Sequence, residues 1–342
     1  MTIKVAINGF GRIGRQVFKI MHQRYPDELR ITHIGVSNPH ATENRALLLK
    51  YDSNYRIFDA EVKAEVRGGK NSIVVDGRET HIVGRNPYGP VPEWARLGVD
   101  LVVEASGHFR GRGHLHLTGG ARRVIITAPD PRADLMVVVG INHTDYEPAQ
   151  HRVISNASCT TNGLAPVAKV LHESFGIKQG LMTTIHAYTG SQPVLDHVGS
   201  DPRRSRSAAT NIVPTNTGAA QAVGSVIPEL QGKLNGCAYR VPIPTVSIAE
   251  LVANVEQPAA VDTVNAAFEK ASAEPPLEGI LGYSPLPLVS TDFQGTTYSS
   301  VLDGLSTMVL ADMVKVAAWY DNEWGYACRV AELAHYLVQR GF

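Results

Sequence analysis

The sequence predicts an α/β protein in two parts, a doubly wound parallel sheet followed by an α+β region whose sheet is mostly antiparallel. Three observations carry this expectation. A strand, a glycine turn and a helix N-terminus follow one another at the start of the chain. Strand-like and helix-like segments then alternate to about Asn156. From Cys159 onward the strand candidates lengthen and fewer helices interrupt them.

Ile3-Lys4-Val5-Ala6-Ile7-Asn8 reads as a buried parallel strand, and Arg12 to Gln23 carries Ile13, Val17, Ile20 and Met21 at helical spacing. Between them lies Gly9-Phe10-Gly11-Arg12-Ile13-Gly14. Gly9 suits the tight turn, Gly11 a close backbone approach to a pyrophosphate, and Gly14 close packing of helix on strand. The helix N-terminus adds unpaired N–H groups and a partial positive charge. A glycine turn in some other α/β protein is the competing reading. Further strands are expected over Arg30 to Val36, Val99 to Glu104, Val124 to Thr127 and Met136 to Val139, the last being part of the longest apolar run.

The segment Ser158-Cys159-Thr160-Thr161-Asn162 follows the strand Val153 to Asn156. Leu164, Val167, Val170 and Leu171 mark a helix starting near Thr160. That puts Cys159 at a helix N-terminus, where the dipole and backbone donors favour a thiolate. Pro166 fits only a helix that has just begun. A buried structural cysteine is the alternative, against which stand the polar neighbours. His186 ends the strand Leu181 to Ile185 and is placed to meet Cys159 as its base. Ser247 to Glu256 and Met313 to Trp319 are long strands, and Gly325 to Arg340 a helix with Val330, Leu333, Ala334 and Leu337 on one face.

A chain of 342 residues is long for one domain, so two are expected. With 32 basic and 32 acidic residues there is no electrostatic case for nucleic acid or an anionic membrane. No apolar run approaches the ~18 residues of a membrane span, and the glycine turn arrives too early for a signal peptide. Cys159, Cys237 and Cys328 are too few for a disulfide framework, so a reducing cytoplasm is expected. His108, His114 and His116 crowd a short stretch without ligand spacing, so no metal is expected. Arg203-Arg204-Ser205-Arg206 reads equally as an anion patch or a solvated loop.

These motifs, taken with Leu48 to Ser53, Ile125 to Pro129, Ser155 to Asn162, Thr184 to Thr189, Pro214 to Ala220, Arg240 to Pro242 and Trp319 to Tyr326, resemble the phosphorylating glyceraldehyde-3-phosphate dehydrogenases from end to end. The resemblance implies a Rossmann-type dinucleotide-binding domain of residues 1–158 and 325–342, whose C-terminal helix packs back onto it, and a catalytic domain of residues 159–324. It implies Cys159 as nucleophile and His186 as base. The cofactor would lie on Gly9, Phe10, Gly11, Arg12, Ile13, Gly14, Asn38, Arg85, Ser106 and Thr127, with Asn322 anchoring the nicotinamide carboxamide. Thr189, Ser191 and Arg240 would hold the substrate phosphate. Ser158, Thr160, Thr217 and Gly218 would hold inorganic phosphate, with Arg204 near both. A cytoplasmic homotetramer acting on a triose phosphate is implied too. Erythrose-4-phosphate dehydrogenase and a non-catalytic dinucleotide-binding protein are the competing readings. The first usually lacks the threonine retained here as Thr189, and the second would predict erosion of Cys159 and His186.

Three departures from the family pattern stand out. Gly163 occupies the place of a frequent second cysteine, and Ser191 replaces a threonine or aspartate. The third concerns the cofactor, where NAD or NADP is expected with the balance toward NADP. An acidic residue normally ends the second strand and repels a 2′-phosphate, but here Ser37-Asn38 supplies the neutral isostere. His40 stands near as a donor, and His197-Val198-Gly199 after Asp196 lacks the usual bulky pair.

Overall fold

The computed structural model describes residues 2–86 and 89–342. The chain divides into two compact units. The first comprises Met1–Val137, Asp145–Ala157 and Ala327–Phe342; the second comprises Val138–Thr144 and Ser158–Tyr326.

In the first unit Ile3–Asn8 lies between Leu29–Val36 and Leu101–Glu104, all parallel. Arg123–Ile126, Val153–Ser155 and Leu135–Met136 extend the sheet in parallel on one side. On the other side Arg78–Gly84 runs parallel to Leu29–Val36, and then Lys70–Val75 and Val62–Arg67 turn antiparallel. That antiparallel edge was not foreseen, because its strands alternate polar and apolar residues over a partly exposed face and do not read as parallel core. Leu101–Glu104 and Arg123–Ile126 are fully buried, as central strands of a covered parallel sheet must be. The carboxyl ends of Ile3–Asn8, Leu29–Val36 and Leu101–Glu104 thus gather at one edge, where loops carry binding groups.

One expectation fails. The run from Leu135 to Val139 is a strand only over Leu135–Met136. Val137 donates to Ser155 O, after which the chain turns: Val138 N–H bonds Asn142 Oδ1, Ile141 N–H bonds Val138 O, and Gly140 has φ +86°. Val138–Thr144 therefore belongs with the second unit. Apolar content marked the burial correctly, but the glycine set the geometry.

The second unit is built on the sheet order Val213–Asn216, Leu234–Val241, Ile177–Ala187, Ser247–Val255, Met313–Tyr320, Ser300–Asp303, Leu281–Ser284. Among the described residues its parallel pairings are Ile177–Ala187 with Leu234–Val241 and Leu281–Ser284 with Ser300–Asp303. Ser247–Val255 alternates buried and half-buried residues along its length, the pattern of a sheet covered on one face. The helix Cys159–Phe175 packs against this sheet. No helix among the described residues is long and apolar enough to cross a membrane.

Candidate active site

The helix Cys159–Phe175 starts at the cysteine. Ser158, in extended conformation, caps it by accepting Thr161 N–H at 2.9 Å, so the first turn aims its free amides past the thiol. Pro166 lies well inside this helix rather than near its start, contrary to the sequence expectation. Its environment is the buried row Leu164, Ala165, Val167 and Ala168, and packing of that row offsets the missing N–H. Gly163 lets the helix approach the sheet, since a Cβ there would lie 3.1 Å from the Tyr320 ring.

His186 sits near the end of Ile177–Ala187 and is almost wholly buried. Its Nε2 lies 3.5 Å from Cys159 Sγ. Parallel pairing sets Arg240 directly beside it, and Arg240 Nη1 stands 2.6 Å from His186 Nδ1 and 3.0 Å from Ala187 O. Ala187 O is also 2.7 Å from Nδ1. A guanidinium only donates and a carbonyl only accepts, so the two compete for the ring's second nitrogen. Burial and then the Arg240 charge pull His186 down to about 3, so the imidazole is neutral near pH 7. Burial pushes the Cys159 thiol up, and Arg240 is the largest opposing influence. The backbone N–H groups of Cys159 and Thr160 at the helix start also favour the thiolate, in line with the sequence expectation.

Two residues of this pocket escaped the sequence reading. Tyr320 OH lies 2.9 Å from Thr160 Oγ1 and 2.8 Å from Thr184 Oγ1, and its ring meets His186 edge-on at 5.9 Å. It braces the helix start and the His186 strand from a strand two places away. Ser247 was missed too. Its hydroxyl accepts Ala187 N–H at 3.1 Å and lies 2.9 Å from Asn322 Oδ1, directing the Asn322 amide group outward as a donor. The register pairing Ser247 with Tyr320 brings both into the site, and such cross-strand meetings leave no local sequence signal.

The remaining anion-site candidates take these places. Thr189 and Ser191 hydroxyls lie 3.0 Å apart just past the His186 strand. Arg204 Nε donates to Thr215 Oγ1 at 2.8 Å, and its charge is felt by Arg240. Thr217 Oγ1 accepts Ala219 N–H at the head of the short helix Ala219–Val223, for which Gly218 is the cap. The hydroxyls of Ser158 and Thr160 are engaged by Thr161 and Tyr320.

The first unit holds the glycine turn. Gly9 has φ +105°, and a Cβ on it would fall 2.5 Å from Ser106 Cα; one on Gly14 would fall 2.1 Å from Gly9 O. A Cβ on Gly11 would meet nothing within 4 Å, leaving open space over the uncapped N-terminus of the helix Arg12–Arg24. That open cradle fits a pyrophosphate. Arg12 forks its guanidinium onto Asp52 at 2.7 and 3.0 Å, so its backbone alone faces the turn, while Phe10 packs edge-on against Phe18. A cavity of about 230 Å³ is lined by Ile13, Ser106 and Thr127 together with Glu104 and Arg110. Glu104 beneath it accepts from Asn8, from Ser106 backbone and hydroxyl, and from His116. Trp94 donates to His116 Nδ1 at 3.0 Å, which fixes the ring with its Nε2 proton toward Glu104. His116 thus serves this network, while His108 and His114 are exposed. Asn38 Oδ1 accepts His40 N–H at 3.0 Å, and Arg85 follows the strand Arg78–Gly84.

Comparison with known proteins gives two family matches. The model for the glyceraldehyde 3-phosphate dehydrogenase NAD binding domain matches residues 3–112, and that for the C-terminal domain of the same family matches residues 158–322. The chain is 52% identical to a glyceraldehyde-3-phosphate dehydrogenase of Geobacillus stearothermophilus, over all of both chains. It is 49% identical to glyceraldehyde-3-phosphate dehydrogenase 1 of Bacillus cereus over 99% of each chain. To the chloroplastic form B of Pisum sativum it is 50% identical, over 99% of this chain and 74% of that one.

Proposed function

The chain belongs to the glyceraldehyde-3-phosphate dehydrogenase family, and from that premise we propose how its residues divide the reaction. It oxidises and phosphorylates glyceraldehyde 3-phosphate with NAD; neither competing reading is favoured by the named relatives. The observation that carries the assignment is the 3.5 Å approach of Cys159 Sγ to His186 Nε2 beside the Arg240 cation.

Cys159 yields its proton to His186, and the thiolate attacks the aldehyde carbon as the carbonyl pair moves to oxygen. Cys159 N–H and the His186 imidazolium hold that oxygen, and the proton passes to it. The bound nicotinamide supplies the hydride acceptor. Neutral His186 then takes the hydroxyl proton back as the carbon–hydrogen bond breaks, leaving a thioester on Cys159. An oxygen of inorganic phosphate attacks the acyl carbon, the thiolate leaves, and an acyl phosphate departs.

Thr189, Ser191 and Arg240 hold the substrate phosphate in this reading. Ser158, Thr160, Thr217 and Gly218 serve the attacking phosphate, with Arg204 between. A dianion on Arg240 offsets the charge that depresses His186, so substrate binding strengthens the base that must act on it. Asn322 offers its amide donor to the nicotinamide carboxamide, a role supported by the Ser247 contact that orients it. A homotetramer in the cytoplasm completes the reading, supported by the family.

The enzyme accepts NADP as well as NAD, with NADP preferred. Asn38 supports this: no carboxylate ends the second strand, and its oxygen is tied to His40 N–H, leaving the amide donor outward. Initial rates with each dinucleotide, with and without phosphate, test both parts. Reduction that needs no phosphate or arsenate would overturn the phosphorylating assignment. A kcat/KM ratio above about a hundredfold for NAD would overturn the cofactor assignment, and Asn38→Asp should move the ratio toward NAD by roughly tenfold to a hundredfold.

A further inference from the structure

The turn after Leu29–Val36 is where a dinucleotide fold meets the adenosine ribose; Arg45 meets it through its side chain and Arg85 through its backbone. The helix Thr42–Lys50 follows the turn, and Arg45 in its first turn reaches back so that Nη2 donates to the Asn38 carbonyl oxygen. Its Nη1 is buried and has no hydrogen-bond partner. From the other side, Arg85 follows the strand paired with Leu29–Val36, and its backbone N–H donates to Val36 O at 2.8 Å. Its Nε and Nη1 are likewise buried and unpaired.

Guanidinium donors out of water are costly unless an acceptor completes them. Burial alone pulls Arg45 down, with no carboxylate close enough to oppose it, and Glu43 on the same helix is exposed. Arg85 is pulled down by burial, with Glu104 the opposing charge. A ribose hydroxyl offers one neutral oxygen to this surplus of positive charge. A phosphate offers several charged acceptors in the geometry a guanidinium fork suits.

We propose that Arg45 determines cofactor specificity by donating through Nη1 to the 2′-phosphate of a dinucleotide while Nη2 stays on Asn38 O. The proposal rests on the reading that a dinucleotide occupies the Gly9–Gly14 turn. It names a residue on the helix after the strand, whereas the sequence pattern pointed to Ser37, Asn38 and His40 and to His197-Val198-Gly199.

The test is calorimetry on the full chain with 2′,5′-ADP and 5′-AMP, which differ only by the 2′-phosphate, beside kcat/KM for NADP and NAD. Arg45→Leu keeps much of the apolar stem and removes every donor. It should weaken 2′,5′-ADP binding by about 10- to 100-fold and leave 5′-AMP within about threefold, with kcat/KM falling in parallel for NADP alone. Arg45→Lys should recover part of the loss, which a packing role would not give. Equal losses on both ligands would make Arg45 a support for the turn and overturn the proposal, as would no loss on either. A wild type that turns over NAD but binds 2′,5′-ADP no better than 5′-AMP would sink this proposal and spare the dehydrogenase reading. One that turns over neither dinucleotide would sink both.

Discussion

Cys159 and His186 lie beside a cation, and burial works against the charged form of each, raising the thiol and lowering the imidazole. Under the glycine cradle the reverse holds. Burial alone would raise Glu104, but donors from His116, Ser106 and Asn8 more than offset it and keep the carboxylate ionised. Asp52 follows the same pattern, held at about 2 by Arg12 and two backbone N–H groups against the pull of burial. In the cradle these two buried carboxylates are satisfied by donors and serve to fix loops. In the thiol pocket burial instead holds Cys159 and His186 against charging beside the Arg240 cation, an arrangement that an anionic substrate can complete.

The sharpest break between the regions is chemical. Cys159→Ser should lower turnover by roughly 10³-fold or more, and His186→Asn by roughly 10²–10⁴. Iodoacetate should label Cys159 ahead of Cys237 and ahead of Cys328, which is buried. Mass spectrometry showing equal labelling of all three with activity retained would remove Cys159 from the mechanism.

Arg240 sharpens the comparison next. From the sequence, Arg240→Leu should spare the slow oxidation of unphosphorylated glyceraldehyde. The contact with His186 changes that expectation, because the substitution also removes the cation that lowers both Cys159 and His186. The pH midpoint for Cys159 alkylation should move upward, and turnover of the unphosphorylated aldehyde should fall by about tenfold, with a larger loss for the phosphorylated one. An unmoved alkylation profile would confine Arg240 to phosphate binding.

Glu104→Gln probes the other region, where stability rather than chemistry should suffer. An amide has one acceptor for donors from Asn8, Ser106 and His116, so the variant should lose about 2–4 kcal/mol. Its turnover at saturating cofactor should stay within severalfold. The sign with pH follows from the lowered value in the folded state. Glu104 contributes stability in full above its unfolded range near pH 4.3 and loses it as pH falls through the folded value. Acid unfolding followed by circular dichroism should therefore be shallower in the variant; an unchanged melting temperature would show the network to be dispensable.

How legible each region was follows from where its parts lie in the chain. The cradle is contiguous: Gly9, Gly11 and Gly14 act through backbone geometry that spacing alone reveals. Cys159 and His186 were legible because a helix start and a strand end are local signals. Tyr320 and Ser247 were not, since each reaches the pocket through strand register, and a register is fixed by long-range packing. Arg45 stayed hidden for a different reason: on its helix it reads as an ordinary surface cation, and only the turn back from that helix brings its guanidinium onto Asn38 O.

The smallest expected effect belongs to Ser247, which touches both the end of the His186 strand and Asn322. Its hydroxyl accepts the N–H of Ala187, the residue after His186, and meets Asn322 Oδ1. Ser247→Ala leaves a buried backbone N–H without its acceptor and frees the Asn322 amide to turn over. If the main duty of the hydroxyl is to aim Asn322, KM for the dinucleotide should rise by about three- to tenfold while kcat changes less, because lost ground-state binding appears in KM. If its main duty is to hold the His186 strand end, kcat should fall, the pH dependence of Cys159 alkylation should shift, and KM should stay put. Steady-state kinetics on the one variant separates the two, and a fall in kcat alone would detach Asn322 from the cofactor role proposed for it.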